Sequence, residues 1–424
     1  MSDPTTIADQ PTGHEGARPM AGGEVRSIAR QPVMDENHRV QGYELSFDLG
    51  SNAPLRGGSL QAARTVLDDA VLFGIDRFTN GMTAFITCSA ELLIENWVSV
   101  LTPAMTVLEV PASLPPTAPL VDACRKLKQS GFRLTLAGFS WDLMPHPLFD
   151  LVEFVKADLA FLDTDGCQRL RKQLHGASIV MEAEKVETQQ DYRQACALGF
   201  TLFEGYYFCH PELIQNAKVP ASRLFHLDIL RQLHKDPLDL KKIGPMVLRD
   251  ASLTYRLLRL VNSPFYALRR EVRSIEAAII VVGEITFKRI ATLAILSEFN
   301  AEQPPEILHM ALVRARFCEL GARLGGLDPD EQYLLGMMSL LPAMMRQPME
   351  KLAPELPLRD EIRRALLGED NRERCLLGWI ERHERNDQAA SNEMAEGHGL
   401  IQQRLVQFFI DAVVWDASGR RPVA

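Results

Sequence analysis

A chain of 424 residues, 46% hydrophobic and 24% charged, is long enough for two domains with separate cores and has an ordinary globular balance. Its net charge of −9 gives no support to nucleic-acid binding, for which a basic patch or a high pI is expected. Residues 1–23 have no apolar run behind a basic start, and no uninterrupted apolar stretch approaches the roughly 18 residues a membrane span needs, so a cytoplasmic protein without membrane contact is expected.

Residues 1–23, rich in Pro, Gly, Thr and Asp, read as a disordered tail, and order is expected from residue 24. From there to residue 211, β-type runs alternate with helical segments. The runs are Ser27–Val33, Thr83–Thr87, Met105–Val110, Phe132–Leu136, Glu153–Val155, Ser178–Met181 and Thr201–Phe203. Leu60–Phe73 and Pro119–Ser130 repeat apolar residues at three- and four-residue intervals. Such alternation predicts an α/β domain over 24–211 built on a parallel sheet, and pattern alone leaves an open sheet and a closed barrel as alternatives. Pro211, Asn216, Lys218 and Pro220 mark a linker at 212–220.

An all-α domain is expected over 221–415, with a tail at 416–424. Leu253, Leu257, Leu260 and Val261 share one helical face, and Asn262-Ser263-Pro264 ends that helix. Ser274 can cap the next helix, with Glu276 favourably placed against its dipole. The most apolar region, Ala277 to Leu296, is interrupted by Glu284, Lys288 and Arg289 and reads as a buried helix pair. Further helices are expected over Glu306–Leu324, Glu331–Arg346, Asp360–Leu367 and Glu373–Arg385. The seven cysteines, Cys88, Cys124, Cys167, Cys196, Cys209, Cys318 and Cys375, form no C-x-x-C pair or zinc-spaced cluster and read as reduced, mostly buried thiols.

Three blocks of the first half, in order, resemble the EAL domain of cyclic di-GMP phosphodiesterases. They are Ile28-Ala29-Arg30-Gln31-Pro32-Val33 with Gly42-Tyr43-Glu44-Leu45, then Ala183-Glu184-Lys185-Val186-Glu187-Thr188, then Glu204-Gly205-Tyr206-Tyr207-Phe208 followed by Pro211. The resemblance implies a TIM-like β/α barrel whose active members hydrolyse cyclic di-GMP with two divalent metals at the C-terminal strand ends. Glu44 matches the first Glu of the motif that names the family, Glu109 matches the metal-binding Glu of the third strand, Lys156 matches the lysine at the nucleophilic water, and Glu184 and Glu187 match the late-loop pair, whose first member is the general base. Gln31 falls among the vestigial positions that could contact a nucleotide.

Other positions depart from that pattern. The Asp-Asp-Phe triplet is Ala137-Gly138-Phe139, and the metal-binding Asn is Thr87. The second third-strand Glu is Ala112, the Gln before the last glycine is Glu204, and the phosphate-binding Arg is Asp48. Neither Ala nor Gly carries a side-chain oxygen, and hard divalent cations need several oxygen ligands. No catalytic residue, metal or cofactor is therefore assigned.

Leu257-Leu258-Arg259-Leu260-Val261-Asn262-Ser263-Pro264-Phe265-Tyr266, continuing through Val272–Ile279 to Gly283, resembles the signature of an HDOD domain, with Asn262, Ser263 and Gly283 as signature residues. The implied fold is a helical bundle related to HD-type phosphohydrolases. Ser339 and Leu340, in Gly336-Met337-Met338-Ser339-Leu340, stand where those enzymes bind metal with His and Asp. His226, His234, His309, His383 and His398 lack paired spacing and read as hydrogen-bonded or surface histidines. Arg256, Arg259, Arg269, Arg270, Arg273, Lys288 and Arg289 read as a solvated face offset by acids, and Met337, Met338, Met344, Met345 and Met349 as core.

The chain thus resembles the EAL–HDOD two-domain signalling family. The reading carried forward is a non-enzymatic signalling adaptor with protein partners of unknown identity. Its alternatives are a cyclic di-GMP phosphodiesterase with an atypical metal site around Glu44, Glu109 and Glu184, and a non-hydrolysing cyclic di-GMP receptor, which Asp48 disfavours. A homodimer is admitted by analogy with active EAL domains.

Overall fold

Eight short strands close into a barrel in a computed structural model that describes residues 27–48, 75–139, 146–158, 179–209, 221–235, 237–263, 271–356 and 358–420. The expected tail at 1–23, the helix at Leu60–Phe73, the linker at 212–220 with Pro211, Cys167, the segment Pro264 to Arg270 and residues 421–424 lie outside the described residues, as does the side chain of Asp48.

The strands are β1 (Ser27–Asp35), β2 (Val40–Asp48), β3 (Thr83–Thr87), β4 (Thr106–Pro111), β5 (Arg133–Ala137), β6 (Phe154–Asp158), β7 (Val180–Glu184) and β8 (Leu202–Glu204). From β2 to β8 all neighbours pair in parallel, whereas β1 runs antiparallel to both β2 and β8. The expectation of a parallel sheet is corrected at that strand. A short turn can join only antiparallel strands, and here Asp35 accepts from the backbone N–H groups of Asn37 (2.8 Å) and Arg39 (2.9 Å) to make one. β2 was not among the expected runs, because Gly42, Glu44 and Ser46 break its apolar pattern.

Alternation along the strands sorts the barrel interior into layers. Val33, Phe85, Val107, Phe154 and Leu202, with Val180 against them, form an apolar floor. Two residues further along, the same strands present Gln31, Thr87, Glu109, Lys156, Glu204 and Glu182, so a polar layer lies above the floor. Outward residues such as Leu45, Ile86, Leu108, Leu134 and Val155 join the main core. Helix α1 (Ala118–Gln129) buries Leu120, Ala123, Cys124 and Leu127 at helical spacing. Helix α2 (Gln189–Leu198) starts at a Thr188–Asp191 capping box.

The second half is helical as expected: α3 (Ala221–Leu233), α4 (Leu240–Leu248), α5 (Ala251–Val261), α6 (Ile275–Val282), α7 (Glu284–Phe299), α8 (Pro305–Gly321), α9 (Pro329–Met338), α10 (Leu341–Met345), α11 (Asp360–Leu366), α12 (Cys375–Glu384), α13 (Gln388–Gly397) and α14 (Gln402–Arg420). The single helix expected over Glu331–Arg346 is two, because Pro342 fits only the first turn of a helix. Helices α13 and α14 fall in the stretch expected to be all-α, although no bounds were expected for them, and residues 416–420 are helical where a tail was expected. The apolar pair is α6 and α7, but it is not wholly buried: Ile280 is 82% exposed, Val281 51% and Ile285 58%. Among the described residues no helix is long and apolar enough to cross a membrane, and the six described cysteines are free thiols.

The halves meet where β1 packs on α12 and α14. Arg30 donates to the Phe78 carbonyl (2.8 Å) and pairs with Glu306 of α8 (3.3 Å). His383 of α12 places Nε2 3.1 Å from the Ile28 carbonyl, stacks on Trp379 and meets Phe409 edge-on. Burial pushes His383 down to about 4, against a smaller opposing effect of the Ile28 carbonyl.

That depression predicts an acid limb in stability. Between the unfolded value near 6.5 and the folded value near 4, the unfolded chain binds a proton at this histidine that the folded chain does not, so stability falls as pH drops through that window. Urea denaturation at about pH 7 and about pH 5 should lose on the order of 2 kcal/mol less in His383→Gln than in the parent. Equal losses would remove His383 as the cause.

Candidate functional site

Four alternate strands each send one polar side chain inward at the same level, the way β/α barrels fill their layers. Glu44 comes from β2, Glu109 from β4, Lys156 from β6 and Glu204 from β8, and Glu182 of β7 joins them. The Lys156 ammonium, 2% exposed, contacts Glu44 Oε2 and Glu204 Oε2 directly, lies 3.3 Å from Glu109 Oε1 and 3.9 Å from Glu182 Oε1. Thr87 donates to the other oxygen of Glu109 at 3.0 Å. Neither carboxylate oxygen of Glu182, which is fully buried, has a hydrogen-bond partner.

One cation thus faces four acids inside the barrel. Burial alone would pull Lys156 down, but the fields of Glu109, Glu204, Glu44 and Glu182 together outweigh it and hold the ammonium well above the ordinary lysine range. The acids move up as well. Burial and then Glu44 raise Glu109 and Glu204, with Lys156 opposing. Burial raises Glu182 despite Lys156. Lysine keeps its proton, and Glu109, Glu182 and Glu204 hold protons at pH values where exposed carboxyls would be ionised.

Three of the six candidate positions from the first half, Glu44, Glu109 and Lys156, therefore come together. Glu184 sits at the rim, half-buried, with its carboxyl raised chiefly by burial. Glu187 is exposed, and its N–H bonds to Asp191 beside the start of α2. Gln31 is turned to the helical half, where Nε2 donates to the Glu384 carbonyl at 3.1 Å. Also at the rim, Lys185 takes a left-handed φ of +58° and pairs with Asp158 at 2.9 Å. Gly205 follows Glu204 at φ +138°, where any Cβ would overlap the Val186 carbonyl.

The two-metal centre implied by the resemblance can be tested against these side chains. Oxygens of Glu44, Glu109 and Glu204 are turned onto Lys156, Thr87 donates to Glu109, and Ala137 and Gly138 carry no oxygen side chain. Among the described residues no group of three or more His, Cys, Asp or Glu is disposed to hold a metal. As arranged, the residues do not fit a divalent pair; they form a lysine-centred ion cluster.

Glu182 is the member that the sequence reading missed. Its signal was present in Val180-Met181-Glu182-Ala183-Glu184, since an inward Glu184 requires an inward Glu182.

In the helical half, Asn262 caps α5 and clamps the chain leading to α6: its side chain donates to the carbonyls of Leu258 (2.9 Å) and Val272 (2.8 Å) and accepts from the Val272 N–H (2.7 Å). Gly283 separates α6 from α7. Ser263 lines a cavity of about 470 Å³ with Leu260, Arg289, Arg316 and Trp415. Ser339 accepts from Arg314 Nη1 (3.1 Å), and Arg314 grips the Glu384 carboxylate through Nη2 (2.6 Å) and Nε (3.1 and 3.2 Å), all in the interior. Four histidines are hydrogen-bonded: His226 to Asp250, His234 to Thr292, His309 to Asp416 and His383 to Ile28. Arg256, Arg273, Lys288 and Arg289 each pair with an acid, and the five methionines are buried.

The family model of the HDOD domain matches residues 219–356. Over 402 residues the chain is 30% identical to the uncharacterized protein YuxH of Bacillus subtilis (strain 168), covering 92% of this chain and 97% of that one. Over 401 residues it is 27% identical to the cyclic di-GMP phosphodiesterase CdgJ of Vibrio cholerae, covering 93% of each. Among solved structures, Klebsiella pneumoniae BlrP1 in a manganese/cy-diGMP complex aligns at a TM-score of 0.37 and 16% identity, over 44% of this chain and 56% of that one, a little over half its length.

The ion cluster predicts opposite outcomes for two interior substitutions. Lys156→Met leaves buried acids without their cation and should cost about 3–5 kcal/mol in urea denaturation. Glu182→Met removes a carboxyl without hydrogen-bond partners and should be neutral or stabilising by about 1 kcal/mol. Comparable losses in both variants would mean that Glu182 is as needed as the lysine, against the geometry.

Proposed function

Because the chain belongs to the EAL–HDOD family of two-domain proteins, we propose that it is a signalling adaptor in which the barrel and the helical bundle serve as interaction modules and neither performs catalysis. The observation that carries this reading is the position of the Lys156 ammonium, which engages the carboxylates a metal centre would require. Ala137 and Gly138 support it, since they have no oxygen to offer a cation. So does the helical half, where Ser339 and Leu340 occupy the positions implied for a metal-binding His-Asp pair and Ser339 accepts from Arg314 of the Arg314–Glu384 ion pair. The proposed partners are proteins of unknown identity in the cytoplasm, with a homodimer as one arrangement.

The name of the Vibrio cholerae relative favours a second reading, in which this chain also acts on cyclic di-GMP, as a phosphodiesterase or as a receptor. A dianionic nucleotide would enter a mouth bearing Glu44, Glu184 and Asp158 beside Lys185. The acidic balance opposes that entry unless a metal offsets it.

Calorimetric titration of cyclic di-GMP into the full chain, with Mg²⁺ or Mn²⁺ and then with chelator, decides between these. The adaptor reading expects no heat and no nucleotide consumed. Metal-dependent consumption would make the chain an enzyme, and binding without consumption a receptor. Ala137→Asp with Gly138→Asp should give no turnover, because Glu44 and Glu204 stay committed to Lys156. Position 138, at φ +67° with open space beside it, is one that Asp tolerates better than most residues. Turnover in that double variant would show a weakened metal site rather than a replaced one.

A further inference from the structure

Two glutamates of the polar layer have a tyrosine as a near neighbour in the chain, and both tyrosines reach out of the barrel into the helical half. In β2, Glu44 faces inward and Tyr43 therefore faces outward. The Tyr43 hydroxyl donates to Glu306 of α8 at 2.9 Å, and its ring lies 4.4 Å from the guanidinium of Arg30, which also pairs with Glu306. At the end of β8, Glu204 is followed by Gly205 and then by Tyr206, whose hydroxyl donates to the Glu384 carbonyl at the end of α12. Gln31 adds a second donor to that carbonyl. From Glu384 the contacts continue through its carboxylate to Arg314 of α8, and from Arg314 to Ser339 after α9.

Tyr43, Tyr206, Glu306, Arg314 and Glu384 are all buried. A hydroxyl or carboxylate that loses its partner in such a place has no water to replace it, so each contact is either made or costly to leave unmade. Between Glu204 and Tyr206, Gly205 lies so close to the Val186 backbone that not even a Cβ would fit. Tyr43 and Tyr206 thus connect the strands that carry the Lys156 cluster to two points about two turns apart along one helix, α8, with α12 between the second tyrosine and Arg314.

We propose that Tyr43 and Tyr206 couple the polar layer of the barrel to the corner of α8, α9 and α12, so that a rearrangement around Lys156 changes the stability of the backbone near Ser339. The inference rests on the reading of the chain as a signalling module, and it names the internal route by which one half senses the other.

Hydrogen–deuterium exchange on the full chain tests this. Glu204→Gln removes one acid from the lysine cluster while keeping its shape, and Tyr206→Phe removes only the hydroxyl that reaches Glu384. Each should raise exchange of amides in 336–345 and 375–384 at least about fivefold, and the double variant should go no further than the larger single effect. An effect of Glu204→Gln confined to the barrel strands, or effects of the two substitutions that multiply in the double variant, would overturn the proposal. If Glu204→Gln does not fold, Glu44→Gln with Tyr43→Phe gives the same cycle, read over 305–321. Cyclic di-GMP turnover by the parent chain separates the two claims. Turnover with coupled exchange removes the non-enzymatic reading and leaves the coupling, whereas uncoupled exchange without turnover does the reverse.

Discussion

A lysine ammonium buried inside a barrel sets the terms for everything around it. Removing such an ion from water costs several kcal/mol, and the cost is recovered only if acids meet it with good geometry. Lys156 meets that demand through the strand alternation itself, because β2, β4 and β8 each deliver a glutamate at its level. The floor of Val33, Phe85, Val107, Phe154 and Leu202 beneath the layer is packed with apolar side chains, which keeps the effective dielectric low and the ion pairs strong. The same floor makes any unpaired acid expensive, which is why burial drives Glu182 and Glu204 towards their neutral forms. Cation, acids and apolar floor are one energetic unit, and a change in one alters the other two.

The helical half repeats the device with the charges arranged differently. Arg314 is the buried cation, Glu384 the acid, and Ser339 the neutral group that takes a remaining N–H. The two units are neighbours because of β1. Its antiparallel course carries Ile28, Arg30 and Gln31 to the end of the barrel at which the parallel strands finish, and there α8 and α12 pack. A β1 parallel to its neighbours would present these residues at the opposite end. The hairpin fixed by Asp35 is thus a local feature with a long-range consequence: it decides which face of the barrel the bundle covers.

Much of the fold was legible because its signals are local. Seven strands and α1 appear within a few residues of their expected positions, and Ser274 caps α6 as its side chain predicts, accepting from the Ala277 N–H. β2 escaped notice for the reason that makes it matter: its inward face carries Glu44, so the pattern lost its apolar alternation. In the site, Glu44, Glu109 and Lys156 were found by motif and do converge. Glu182 was readable from strand period alone. Gln31 was not, because its partner lies 353 residues away in another domain and no pattern around residue 31 refers to it. The exposure of Ile280, Val281 and Ile285 was hidden for a similar reason, since a helix that is apolar all round gives no sign of which face packs.

The contrast with a metal-using barrel can be stated more sharply than as a list of losses. Carboxylates missing at Ala137 and Gly138 would weaken a cation site, yet by themselves they would leave Glu44 and Glu109 free to turn towards whatever cation arrived. Glu204 of β8 and Glu182 of β7 also face the ammonium, on the sides that those two strands line. Together the four acids hold the lysine in its charged form, so the cation stays in place between Glu44 and Glu109. Substitutions that remove ligands and substitutions that retain the lysine act in the same direction. On the proposed reading, the barrel has replaced an exchangeable metal by a cation fixed to its own backbone, a centre that responds to displacement of β6 and its neighbours rather than to metal supply.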